Sequence, residues 1–246
     1  MALALTALVA SLAGCAQLTG ADADVADPAA GTTGSTEVLA TQEWGELDGL
    51  VSVLVRNDGD RTLRRATAVV TAVDERGVTL ASSAVQSARG DCCTVLDLPP
   101  GTTYGLYFDT QVDPAAIADV EVRYRDVSWA NDETISSVTA ESVGIRGSAE
   151  GTVVLADVTP AGTAVDVATV QATLARPDGT FLAVVSGRWH CFPADQVQRI
   201  EMELLHPVPA GTTVTGVQVL PIRPPNAATD YVDEATPVAE GCADGP

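Results

Sequence analysis

The stretch that decides the fold class is Leu50-Val51-Ser52-Val53-Leu54-Val55-Arg56-Asn57-Asp58-Gly59-Asp60. It begins with a Val- and Leu-rich run typical of a β-strand and ends in Asn and Asp-Gly, which favour a turn. Short apolar runs closed by turn residues recur along the chain. Many short strands between turn signals predict an all-β sandwich.

The strands of a first module surround this stretch. A second apolar run, Ala66 to Val73, is closed by Asp74-Glu75-Arg76-Gly77. Apolar and polar residues alternate over Thr103 to Asp109, and apolar and charged residues alternate over Val120 to Arg125, which predicts half-buried strands. Asp113-Pro114 between them predicts a helix N-cap with proline at the first helical position.

A second module repeats the scheme. Val-rich runs cover Thr152 to Val158 and Ala168 to Leu174, and Arg199 to Leu204 alternates charged with apolar residues. Turn glycines recur at matching intervals: Gly59 to Gly77 is 77 − 59 = 18 residues, and Gly162 to Gly179 is 179 − 162 = 17. A proline turn also recurs. Pro99-Pro100-Gly101-Thr102-Thr103 returns as Pro209-Ala210-Gly211-Thr212-Thr213 after 209 − 99 = 110 residues. This repetition predicts duplication of one fold.

The first module resembles the FxLYD-type immunoglobulin-like domains of bacterial and archaeal surface proteins over residues 47 to 128. The resemblance lies in Val55-Arg56-Asn57-Asp58-Gly59, Leu63, Val70-Thr71-Ala72-Val73-Asp74 with Gly77, and Leu98-Pro99-Pro100-Gly101. It implies an immunoglobulin-like fold and a setting outside the cytoplasm. It implies no activity, since such domains host many functions.

The N-terminal residues predict a membrane anchor. Ala2 to Ala13 is a run of Ala, Leu and Val, interrupted by Thr6 and Ser11, and it is too short to span a bilayer. The following Leu12-Ala13-Gly14-Cys15 resembles the prokaryotic lipobox. The resemblance implies that Cys15 receives diacylglycerol and becomes the first residue after cleavage, which places the protein on the extracytoplasmic face of the cell membrane.

These observations divide the chain into five regions. We expect a signal peptide at 1–14, a lipidated cysteine and flexible tether at 15–35, β-sandwich domains at 36–130 and 131–222, and a Pro-, Asp- and Ala-rich tail at 223–246.

The charge of the chain limits its partners. The net charge is −20, from 33 acidic and 13 basic residues, and every basic residue is arginine. Such a chain repels phosphate backbones, so we expect no nucleic-acid partner. We interpret the acidic residues mainly as a solvated surface.

Four cysteines remain once Cys15 carries lipid, and export permits disulfides among them. We predict a Cys191–Cys242 bridge, which would hold an otherwise unattached tail. The adjacent Cys92 and Cys93 face opposite ways in a strand; pairing with each other, pairing across modules and two free thiols all remain open.

Two groups of residues have the composition of a metal site. His190, Cys191, Met202 and His206 are the ligand types of blue-copper centres. If 181–191 is a strand, however, His190 points outward with Arg188, and Met202 belongs to the core. Asn57-Asp58-Gly59-Asp60 lacks the spacing of an EF-hand and is interpreted as a hairpin turn. We expect no bound metal and no cofactor.

Catalytic motifs do not emerge from the sequence. It contains no Gly-x-Ser-x-Gly elbow, no lysine and only two histidines. We therefore expect a non-catalytic protein, anchored to the membrane through its N-terminal lipid, whose modules bind or scaffold an envelope protein or glycan. Trp44, Tyr107 and Trp129 are candidate anchors, although core or interdomain packing suits them better. The alternative is a cation- or metal-binding accessory protein of the envelope.

Overall fold

A computed structural model describes residues 38–86, 93–130 and 137–223. Within these ranges the backbone forms thirteen β-strands, and helical geometry is limited to the single turn Ser83–Gln86 and the 3-10 turn Pro114–Ala116. The predicted all-β class is confirmed. In chain order the strands are β1 (Ala40–Leu47), β2 (Leu50–Arg56), β3 (Thr62–Val73), β4 (Thr79–Ser82), β5 (Thr94–Leu98), β6 (Thr103–Asp109), β7 (Asp119–Ala130), β8 (Val138–Gly147), β9 (Thr152–Pro160), β10 (Val165–Ala175), β11 (Phe181–Phe192), β12 (Gln198–Leu204) and β13 (Thr213–Pro221).

The first half of the fold, residues 40–130, consists of two antiparallel sheets packed face to face. Sheet A has the order β1-β2-β6, and in sheet B the strand β3 pairs with β4, β5 and β7. The apolar residues of each strand that share a face meet between the sheets, as the alternation in β6 and β7 predicted. The buried cluster includes Val51, Val53, Val55, Leu63, Ala66, Ala68, Val70, Ala72, Leu98, Leu106 and Phe108.

The second half, residues 138–221, repeats this strand order. Sheet C is β8-β9-β12 and sheet D is β11-β10-β13. In each half the first strand pairs with the second, the second pairs with the penultimate, and the third pairs with the last. The second core lies between sheets C and D and includes Val154, Ala156, Val158, Ala168, Val170, Ala172, Leu174, Ile200 and Met202.

The turn residues that suggested duplication are of two kinds. The glycine pairs occupy matching places, between the second and third strands and between the third and fourth strands of each half: Gly59 with Gly162, and Gly77 with Gly179. The proline turns do not match, because Pro99-Pro100-Gly101 joins β5 to β6 whereas Pro209-Ala210-Gly211 joins β12 to β13. The glycine spacing therefore identified equivalent turns, and the inferred equivalence of the proline turns was wrong.

The turn after β2 carries the chain from one sheet to the other. Because β2 and β3 do not pair, the prediction of a hairpin here was wrong. Asn57 is fully buried in the turn; its Nδ2 donates to the carbonyl oxygens of Arg61 (2.8 Å) and Leu98 (3.0 Å), and its Oδ1 accepts from the N–H of Gly59 (3.1 Å). The Asn57 side chain thus fixes the crossing between sheets A and B.

The turn between β3 and β4 is organised by one carboxylate. The backbone N–H of Val78 (2.8 Å) donates to Asp74, as do the N–H (2.9 Å) and guanidinium (3.1 Å) of Arg76. These contacts, the hydrogen bond from Val78 foremost, lower the pKa of Asp74.

This turn gives the protein an acid-sensitive element. A pKa lowered by folding stabilises the native state above the unfolded pKa, about 3.9 for aspartate, and the contribution is lost as pH falls through the native value. We expect the fall in Tm between pH 5 and pH 2.5 to be shallower in Asp74→Asn than in the natural protein, since the variant has lost this contribution at every pH. The exposed neighbour Glu75 provides the control, Glu75→Gln. Identical slopes in all three proteins would contradict the prediction.

Candidate functional site: the junction of sheets A and D and its cleft

The two halves meet through the faces of sheets A and D that point away from their own cores. This contact surface is called the junction. Leu54 of β2 packs there with Phe181 and Val184 of β11 in a buried apolar cluster. The strands β2 and β10 consequently bury both faces over most of their lengths, and β11 does so over its first five residues, which a single sandwich would not require.

Two glycines allow this close approach. A Cβ atom placed on Gly105 of β6 would lie 2.5 Å from both Cγ atoms of Val184. A Cβ atom on Gly45 of β1 would lie 2.5 Å from the carbonyl oxygen of Leu182. Both distances are below any real carbon contact, so the spacing of the two sheets depends on the absence of side chains here.

The outward-facing residues of β6 each contact the second half. Gly105 exchanges two hydrogen bonds with the side chain of Gln171, which is buried on β10: its N–H donates to Oε1 and its carbonyl oxygen accepts from Nε2, both at 2.9 Å. Gln218 of β13 donates to the carbonyl oxygen of Thr103 (2.9 Å) and to Gln171 Oε1 (3.1 Å). Side-chain amides of sheet D therefore satisfy backbone groups of β6, the edge strand of sheet A.

Further polar contacts flank these amides. The hydroxyl of the buried Ser52 accepts from the N–H of Val184 at 3.2 Å. Arg176 donates to the carbonyl oxygen of Glu46 at 2.9 Å, and His206 Nε2 lies 3.1 Å from Asp109 Oδ1. The junction is thus an apolar surface whose buried polar groups are bonded across it, as a permanent contact requires.

A cleft of about 330 Å³ opens beside the junction. This volume is at the lower end of the range for small-molecule sites. Its walls are aliphatic, with hydroxyl and amide groups between the aliphatic side chains. The residues that line it are Asp97, Pro99, Thr102, Ser137, Val138, Ala140, Val217, Gln218, Val219, Leu220 and Pro221.

The charged side chain that lines the cleft, Asp97, is already paired with two arginines. The Asp97 side chain is fully buried and accepts from the backbone N–H of Arg223 (2.9 Å) and from its guanidinium (3.2 Å), and it lies 3.5 Å from Arg64 Nη1. Asp97 has a φ of 48°, a left-handed conformation that aspartate tolerates better than most residues. Because its charge is compensated, Asp97 serves as a link between the halves, and the cleft suits an uncharged group with apolar surface.

The candidate copper ligands lie in different environments. Met202 is fully buried in the second core, while His190 is exposed on β11 together with Arg188, as predicted. His206 follows the end of β12 and contacts Asp109. Across residues 38–86, 93–130 and 137–223, no group of three or more His, Cys, Asp or Glu side chains is arranged to hold a metal ion.

The cysteines correct one prediction. Cys191 is a free thiol, so the predicted Cys191–Cys242 disulfide is not formed. Arg223, the last described residue after β13, is hydrogen-bonded to Asp97 of β5. Cys93, in contrast, is disulfide-bonded. Cys15, Cys92 and Cys242 lie outside the described residues, as do the expected signal peptide and tether.

The three candidate aromatic anchors pack inside the fold. Trp44 and Trp129 are partly buried against the first core, and Arg61 lies 5.3 Å from the ring centroid of Trp129. Tyr107 projects from β6 against the second core. Packing therefore accounts for all three.

Sequence reasoning missed the residues that build the junction. Gln171 is a polar residue within an apolar strand, and Gly105 interrupts an aromatic strand; either could have signalled a close contact. The burial of every residue from Leu50 to Val55 has a sequence counterpart in an apolar run interrupted only by Ser52, which is typical of a strand covered on both faces.

No known family model matches the chain, and no curated protein matches it. Among the described residues, no helix has the length and apolar character needed to cross a membrane.

Proposed function

We propose that this protein is a non-catalytic, lipid-anchored protein of the extracytoplasmic membrane face whose two β-sandwiches form one binding or scaffolding unit for an envelope protein or glycan. The observation that carries the proposal is the outer face of β6, where every outward residue contacts the second half. An interface bonded in this way holds two modules at a fixed angle, which suits a scaffold better than a flexible tandem.

The membrane attachment rests on Leu12-Ala13-Gly14-Cys15 at the end of an apolar run. Two or more acyl chains hold a protein stably on a bilayer. We expect the full chain, expressed in an exporting bacterial host, to be recovered in the detergent-soluble membrane fraction. Cys15→Ser is expected to move it out of that fraction, while Cys191→Ser, a matched change of a free thiol, leaves it there. Equal distribution of the natural protein and Cys15→Ser would overturn the attachment.

The binding role is supported by the cleft, which lies where both halves contribute walls. A thermal-shift screen of the fragment beginning at Ala16 against glycans and divalent metals tests it. A glycan present at a hundred times its Kd is expected to raise Tm by about 5 to 10 °C. The same screen on Ala140→Trp, which fills the cleft, should lose that rise. A rise produced by a divalent metal alone would instead support the cation-binding alternative.

A further inference from the structure

The cleft beside the junction lies along an edge of sheet D. Among the strands of the described residues, β13 pairs with β10 alone, and β8, which also lines the cleft, pairs with β9 alone. An edge strand carries a row of N–H and C=O groups that no strand of its own sheet bonds. The strand register identifies the residues of β13 and β8 to which these groups belong.

Two valines of β13 present their backbone on the side of the cleft. The N–H of Ile222 donates to the carbonyl oxygen of Val167 at 2.9 Å, and these two residues are opposite each other when the β10–β13 register is continued. Hydrogen-bonded and non-hydrogen-bonded pairs alternate in an antiparallel ladder. Gln218 therefore bonds to β10, and its neighbours Val217 and Val219 direct their N–H and C=O groups away from β10. Both valines line the cleft, and no residue of β10 does.

The strand β8 presents its backbone in the same way. The N–H of Ala161 donates to the carbonyl oxygen of Ser137 at 2.9 Å, which continues the β8–β9 register. By the same alternation, Val138 and Ala140 direct their N–H and C=O groups away from β9. Both residues line the cleft. Backbone groups in a partly apolar cleft need water or a ligand as hydrogen-bond partners, so this cleft offers a ligand main-chain donors and acceptors.

The walls of the cleft suit a strand added to the edge of β13. Val217 and Val219 pack against the second core, whereas Gln218 between them bonds to the first half. Residues of an added strand that lie opposite the two valines would face the same side, which β8 lines. The residues between them would face the β5–β6 turn, where Pro99 and Thr102 line the cleft.

The cleft suits a short, uncharged segment. Pro221 has no N–H, so the row of backbone donors on β13 ends before it. The volume of about 330 Å³ is that of a small ligand. The charge of Asp97 is compensated by Arg64 and Arg223, and the net charge of −20 repels acidic segments.

We propose that the cleft binds an extended, uncharged peptide segment of another envelope protein, which adds to β13 by main-chain hydrogen bonds to Val217 and Val219. This inference rests on the proposed binding role and names the ligand as a peptide and not a glycan. Strand addition takes its affinity from main-chain hydrogen bonds and its specificity from the surroundings of alternate side chains. Apolar side chains opposite the two valines, with hydroxyl-bearing ones between them, match the two walls.

Fluorescence anisotropy with the full chain, purified from membranes in detergent, tests the proposal. The probe is a dye-labelled peptide of sequence Thr-Val-Thr-Val-Thr with an amidated C-terminus. N-methylation of its valines removes the donors that face β13 and is expected to weaken binding about tenfold. N-methylation of its threonines, whose N–H groups point away from β13, should change binding by less than about threefold. Equal binding of the two methylated peptides, or no binding of the parent peptide at millimolar concentration, would overturn the inference.

Val219→Pro is the corresponding change in the protein. Proline removes the N–H that faces the cleft but no hydrogen bond between β13 and β10, and edge strands tolerate proline at such positions. We expect peptide binding to weaken about tenfold, whereas Val219→Ala, which keeps the N–H, should bind within about threefold of the natural protein. Equal affinities of the two variants would contradict the proposal. The methylated peptides need no variant, so they decide the question if Val219→Pro does not fold.

The glycan screen separates this inference from the proposed function. If a glycan raises Tm, Ala140→Trp removes that rise and the peptide does not bind, the inference is wrong and the proposed function stands. If neither peptide nor glycan binds, the inference and the binding role of the cleft are both wrong. Binding of the peptide supports both.

Discussion

Gly105→Ala is expected to destabilise the protein by about 3 kcal/mol, at the upper end of what overpacking a core costs. The added methyl group would lie 2.5 Å from both Cγ atoms of Val184, a buried residue whose β-branched side chain is stiff. Separating the sheets would relieve the contact, but it would also lengthen both hydrogen bonds between Gly105 and Gln171. Urea denaturation followed by circular dichroism measures the change in the free energy of unfolding.

The cause can be isolated with a second substitution. Val184→Ala removes the two Cγ atoms, so the double variant Gly105→Ala/Val184→Ala should be more stable than the sum of the single variants predicts, by about 1 to 2 kcal/mol. Gly144→Ala is the matched control, because a Cβ atom there would meet nothing within 4 Å. Strict additivity of the two single effects would show that the cost of Gly105→Ala does not come from contact with the Cγ atoms of Val184.

Local patterns in the sequence predicted the sandwiches themselves. The alternation in β6 correctly assigned Tyr104, Leu106 and Phe108 to the core, because a strand has only two faces and the apolar one must be covered. Asp113 accepts from the N–H of Ala115 at 3.0 Å, as its position before Pro114 indicated. Strand faces and helix caps of this kind depend only on residues a few positions apart in the sequence.

The junction was beyond the reach of those patterns, because its partners are distant in sequence. The face of β6 that carries Thr103, Gly105 and Tyr107 resembles the solvated side of an ordinary strand. Only the folded chain brings Gln171, 171 − 105 = 66 residues away, against it. The predicted pairing of Cys191 was wrong for a related reason. The spacing of cysteines in a sequence does not show which of them the fold brings together.

The second large effect is expected at Asp97, the buried carboxylate that links β5 to Arg64 and Arg223. Asp97→Ala removes a negative charge placed between two arginines whose side chains are 20% and 17% exposed. Loss of one member of a buried ion pair costs about 3 to 5 kcal/mol, since the remaining charge stays desolvated. Alanine also fits the left-handed backbone at this position poorly.

Asp97→Asn separates these two contributions. Asparagine tolerates the φ of 48° and keeps an oxygen that can accept from the N–H of Arg223, but it carries no charge. We therefore expect Asp97→Asn to lose less stability than Asp97→Ala, and the difference between them measures backbone strain and the lost hydrogen bond. Asp157→Asn, which breaks the exposed pair with Arg199 on sheet C, should change the midpoint of urea unfolding far less than either. If all three variants unfold at the same urea concentration, the buried charge is not what holds β5 to the end of β13, and the link must be assigned to the apolar contact of Leu96 with Ile222.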